Sequence, residues 1–155
     1  MLQEAPELVE LQAGPAILAV SPAAGGSITR YASRHDGTTF EWMRPALPEA
    51  VRNRSAGNTS SFPLVPFSNR IRHAAFRFRG RVIQLPQHFP PQPHAIHGHG
   101  WRAPWRVPAR SPSLLTVLSQ PPASPWPWSH PPAPHLPVAP HHPSPPLPVP
   151  RLPPP

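Results

Sequence analysis

Proline decides most about what this chain can build: there are 31 in 155 residues, and they are unevenly spread. Each one holds φ near about −65° and removes a backbone donor, so a proline-dense stretch sustains neither a helix nor the interior of a sheet. After Trp128 proline fills close to half the positions, as in "PHHPSPPLPVPRLPPP" over 140–155. Polyproline II or disorder is expected there, with no sheet ladder. The composition change divides the chain into an ordered part, 1–128, and a proline-rich low-complexity tail, 129–155.

The ordered part reads as all-β. Residues 7–43 break into short β-prone segments, "ELVELQAG", "AILAVSPAAGG", "SITRYASRHDG" and "TTFEWMR", punctuated by Gly14, Gly25, Gly26 and Gly37. Asp36-Gly37 is a hairpin signal. Pro45 to Ser61 is loop-like in composition. In "AFRFRGRVIQL" Phe76 and Phe78 alternate with Arg77 and Arg79, the chain turns at Gly80 and returns through Val82, Ile83 and Leu85. That pattern predicts a β-hairpin with one buried face. A further strand is expected in "SLLTVLSQ", Ser113 to Gln120, and no segment beyond about ten residues carries a helical period.

Charge is equally lopsided. All 14 basic side chains other than histidine are Arg, and all six acids precede residue 50, the last being Glu49. A basic chain invites nucleic acid as a partner, but the arginines are scattered and no groove-reading module is present, so no nucleic-acid role is assigned. No apolar run approaches the roughly 20 residues of a membrane span, and the acidic opening "MLQEAPELVELQAG" lacks the features of a signal peptide. With no cysteine, a disulfide scaffold is excluded and a cytoplasmic setting is the default expectation.

Three motifs stand out: "FPLVPFSNRI" at 62–71, "HAIHGHGW" at 94–101 followed by "PWRV", and "WPW" at 126–128. In this order and spacing, and with "AGPAILAVSPAAGGSITRY" ahead of them, residues 8–128 resemble the aldose 1-epimerase (galactose mutarotase) family. The resemblance implies the N-terminal portion of a galactose mutarotase-like antiparallel β-sandwich with the sugar in an open cleft. It also implies interconversion of the α and β anomers of an aldohexose such as galactose or glucose, without a cofactor. The family's substrate-binding Asn-Arg pair falls on Asn69 and Arg70, and its binding histidine on His97.

Those residue types suit the chemistry. Ring opening needs a base for the anomeric hydroxyl and an acid for the ring oxygen; an Arg fork and an imidazole orient the sugar and stabilise charge moving between oxygens. In the family the acid is a histidine in a "HPYF"-like strand beyond "WPW", and the base is a later glutamate. Neither motif occurs in this sequence, and no carboxylate follows Glu49. His135, His141 and His142 lack the flanking pattern, so no catalytic residue is assigned, and the oligomeric state stays open.

Other readings attach to the same residues. His94, His97 and His99 form H-x-x-H-x-H, a chelating pattern, but without cysteine or a neighbouring carboxylate no metal site is assigned. Trp101, Trp105, Trp126 and Trp128 suit either a sugar-stacking platform or the core. Arg70 could instead form a salt bridge, and Asn69 could cap its turn. For the tail the alternatives are a PxxP ligand for SH3 or WW domains and the product of a GC-rich gene read out of register past Trp128.

Overall fold

The computed structural model describes residues 8–119 and the backbone of the strand His135–Val138. Among the described residues are eleven strands, one short α-helix and four single turns of 3-10 helix, joined by loops: β1 Val9–Ala13, β2 Ala16–Ser21, β3 Ser27–His35, β4 Thr38–Glu41, β5 Arg70–Ile71, β6 Ala75–Phe78, β7 Arg81–Gln84, β8 Ala95–Ile96, β9 Trp105–Arg110, β10 Leu115–Ser119 and β11 His135–Val138, with α1 at Pro48–Arg52. β1 to β4 form an antiparallel meander, and β11-β10-β9 form a second antiparallel sheet. Two ribbons, β5-β8 and β6-β7, complete the set.

The meander follows from local chemistry. Val9 pairs with Val20 and Leu11 with Leu18, so all four fall on one face, while Glu10 and Gln12 fall on the other. That face meets Trp105, Leu115 and Val117 from the second sheet in one buried cluster. Each such aliphatic side chain contributes about 1.5–3 kcal/mol on full burial. The Asp36-Gly37 turn joins β3 to β4 with φ of 48° and 77°, and Arg79-Gly80 joins β6 to β7 with φ of 47° and 76°. Both are the two-residue turns whose twist matches flanking strands. In the second hairpin Phe76 opposes Ile83 on the packed face, and Val82 opposes Arg77 on the exposed one. Ser113 to Gln120 contains β10 as expected.

Two expectations need correction. Pro45 to Ser61 is not all loop: Pro48, suited to a first helical turn, opens α1. More consequentially, the tail does build a ladder, because β11 pairs with β10 with Leu115 opposite Val138 and Thr116 opposite Pro137. Pro137 is accommodated on an outer strand of its sheet, a position where a missing N–H need not interrupt pairing. Pro108 in β9 has a different refuge. The β9-β10 register slips between Thr116 and Leu118, so Val107 and Pro108 together oppose Val117 in a bulge.

Candidate functional site

The two-residue ribbon β5-β8 brings the first two motifs together, pairing Arg70 with Ile96 and Ile71 with Ala95. One residue earlier, Asn69 and His97 close on each other twice. The His97 N–H donates to the Asn69 carbonyl at 2.9 Å, and the Asn69 N–H donates to His97 Nδ1 at 2.9 Å. Both residues have left-handed backbones, φ 60° and 58°, a conformation for which Asn and His are enriched. A backbone amide always carries its proton, so Nδ1 is the acceptor and the neutral imidazole holds its proton on Nε2. Burial, and then the Arg70 guanidinium, hold the His97 pKa below its ordinary value.

The next residue locks this arrangement. Gly98, φ 68°, bridges to Val65, whose carbonyl also accepts the His99 and Gly100 N–H groups at 2.9 and 3.0 Å. A Cβ at position 98 would lie 2.1 Å from that carbonyl oxygen. The strap from Phe62 to Asn69 is thereby fastened along 97–100. Its start is anchored to β3 by the Ile28 N–H on the Ser61 carbonyl at 2.8 Å.

Phe62 stands edge-on to His97 with ring centres 6.2 Å apart, and 5.8 Å from Trp101. Phe89 stacks on Trp101 at 5.9 Å, and His88 meets it edge-on at 5.9 Å. His88 Nδ1 lies 3.0 Å from the Ile96 carbonyl, which can only accept, so here Nδ1 carries the proton and Nε2 the lone pair. Burial is the largest influence lowering the His88 pKa. The site thus joins an N–H from His97, the guanidinium of Arg70 and an aromatic cluster. These groups can bind polyhydroxy rings through their rim oxygens and their C–H faces.

The structure brings Asn69, Arg70 and His97 together, with the Asn69 backbone rather than its side chain holding His97. His94 is engaged elsewhere: its Nδ1 accepts the His73 N–H at 3.1 Å, and their rings lie 5.7 Å apart. Trp105 is core, 1% exposed, with its indole N–H on the Gly100 carbonyl at 2.9 Å. Trp126, Trp128, His141, His142 and the side chain of His135 lie outside the described residues. Sequence reasoning passed over Phe62, His88 and Phe89. Phe62 heads a quoted motif, but nothing periodic marks His88 or Phe89, which reach Trp101 only through folding.

Comparisons with known proteins bear on the fold and the family. The family model described as aldose 1-epimerase matches residues 7–130. The uncharacterized protein YphB of Escherichia coli K12 is 34% identical over 74 residues, covering 48% of this chain and 26% of its own length. A candidate aldose 1-epimerase of known structure, also from Escherichia coli K12, superposes with a TM-score of 0.61 at 28% identity, over 77% of this chain and 38% of that one. The GalM/aldose epimerase homologue from C. elegans shares the fold with a TM-score of 0.58 at 17% identity, over 72% and 35%. The chain therefore spans well under half the length of these relatives. Its strands have the galactose mutarotase-like β fold, and the chain belongs to the aldose 1-epimerase family.

Proposed function

We propose that this chain binds an aldose ring, galactose or glucose, at Asn69, Arg70 and His97, and that the 155-residue chain holds the sugar without opening it. The observation carrying this reading is the Asn69 N–H on His97 Nδ1 at 2.9 Å. It commits the neutral imidazole to presenting an N–H from Nε2, the polarity needed to hold a ring oxygen or a hydroxyl. Arg70 supplies a permanent positive fork to sugar oxygens, and Phe62 with Trp101 supplies an apolar wall. Ring opening also requires a base, and the residues placed at this site, Asn69, Arg70, His97, Phe62 and Trp101, include no carboxylate.

Tryptophan fluorescence and polarimetry test both halves. Saturable quenching by galactose or glucose is expected, weakened about tenfold or more in Arg70→Gln, the scale of losing a hydrogen bond to a charged group. The optical rotation of fresh α-galactose should relax at the spontaneous rate. Absence of quenching refutes binding; an Arg70-dependent acceleration refutes the holding-only reading.

A further inference from the structure

His88 belongs to the aromatic cluster but takes no part in the arrangement assigned to Asn69, Arg70 and His97. Its ring meets Trp101 edge-on at 5.9 Å, and Trp101 lies 5.8 Å from Phe62, the ring that faces His97. Its Nδ1 is 3.0 Å from the carbonyl of Ile96, the residue that pairs with Arg70 across the β5-β8 ribbon and precedes His97 in sequence. His88 is thereby fastened to the ribbon that carries both binding side chains.

The hydrogen-bond polarity of those side chains is one-sided. Arg70 can only donate, and His97 presents an N–H from Nε2. The Trp101 indole N–H, also a donor only, is buried and has no hydrogen-bond partner among the described residues. Asn69 Oδ1 apart, these side chains offer nothing to receive the hydrogen of a hydroxyl. A sugar hydroxyl both donates and accepts, so a site made of donors leaves half of each hydroxyl unmatched.

His88 supplies the opposite polarity. The Ile96 carbonyl can only accept, so in the neutral ring Nδ1 carries the proton and the lone pair stands on Nε2, an atom with no hydrogen bond among the described residues. Burial above all favours the neutral ring by holding its pKa below the ordinary value. His88 and His97 therefore present the same ring atom in opposite states, because one Nδ1 meets a carbonyl and the other an amide.

We propose that His88 Nε2 is a further sugar-binding atom, accepting the hydrogen of one ring hydroxyl and making the site selective for sugars that carry that hydroxyl. The proposal rests on the sugar-binding reading above and adds to it the acceptor that the site otherwise lacks.

Two substitutions separate this role from a structural one. The Asn amide nitrogen lies as many bonds from Cα as Nδ1 does, so His88→Asn keeps a donor for Ile96 and removes the acceptor. The Gln carboxamide reaches the position of Nε2, so His88→Gln keeps an acceptor. The tighter binder of galactose and glucose is titrated against the full chain alongside its mono-deoxy derivatives. One deoxy sugar should bind about three- to tenfold more weakly than its parent, the scale of a neutral hydrogen bond. His88→Asn should weaken the parent by a similar factor and no longer distinguish the two, whereas His88→Gln should retain most of the difference. A second measurement needs no variant: nitrogen NMR of labelled histidine should show His88 Nε2 bare, its resonance moving on saturation with the parent sugar and staying in place with that deoxy derivative. Unchanged parent affinity in His88→Asn, a greater loss in His88→Gln than in His88→Asn, or a protonated Nε2 overturns the assignment and leaves sugar binding standing. Absence of sugar binding by the unmodified chain overturns both.

Discussion

At the scale of single residues, two atoms set the site: the Asn69 amide hydrogen and the missing Cβ of Gly98. Gly98→Ala places a methyl 2.1 Å from the Val65 carbonyl oxygen at a φ of 68°. Backbone strain and the forced parting of the strap are expected to cost about 2–4 kcal/mol, read as a lower urea midpoint, with sugar binding lost as His97 moves. A midpoint and an affinity equal to those of the unmodified chain would contradict this. Protonation attacks the same contact. His97 and His88 both have folded pKa values below the ordinary one, so the unfolded chain takes up protons first. Their contribution to stability is complete above the ordinary histidine value of about 6.5 and is lost as pH falls through it toward the folded values. Sugar affinity should fall over the same interval, because a protonated Nδ1 can no longer accept the Asn69 N–H. Urea midpoints and titrations from pH 7.5 to 5.5 check this; His97→Gln should flatten the stability slope.

Among the elements, β9 and β10 do most to connect the site with the core. Trp105, opening β9, packs into the main cluster and ties its indole N–H to the Gly100 carbonyl one turn from the His97 loop. Trp105→Ala is expected to cost about 3–5 kcal/mol by the cavity it leaves. Trp105→Phe should cost less while still releasing Gly100, so its sugar affinity should drop more than its stability. Equal losses in both variants would separate core from site. The motif "PWRV" was visible as a family signature, yet its strand was not: Pro108 argues against one until the bulge opposite Val117 removes the conflict. The same holds for His135–Val138, whose proline argues against pairing until β10 supplies an edge.

Across the whole molecule, the meander ends in an exposed strand. All four residues of β4 are exposed, with Phe40 at 50% and the adjacent Trp42 at 63%. An apolar edge with open backbone groups favours strand addition. Concentration-dependent association is expected by light scattering, and Phe40→Lys should shift it toward monomer; a monomer at every concentration would refute the expectation.

What could be read before folding was whatever short-range pattern governs: alternation in Val9–Leu11 and Phe76–Phe78, the Asp36-Gly37 turn, and the motifs holding Asn69, Arg70 and His97. Alternation and turn chemistry act within a few residues, so they survive in the linear text. The rest depends on partners far along the chain. The proton position on His97 is set by an amide 28 residues away, the cluster around Trp101 by a strap that begins at Phe62, and the strand at His135–Val138 by an edge that exists only once β10 has packed. Hydrogen bonding and burial between distant segments decide such features, and no local preference encodes them.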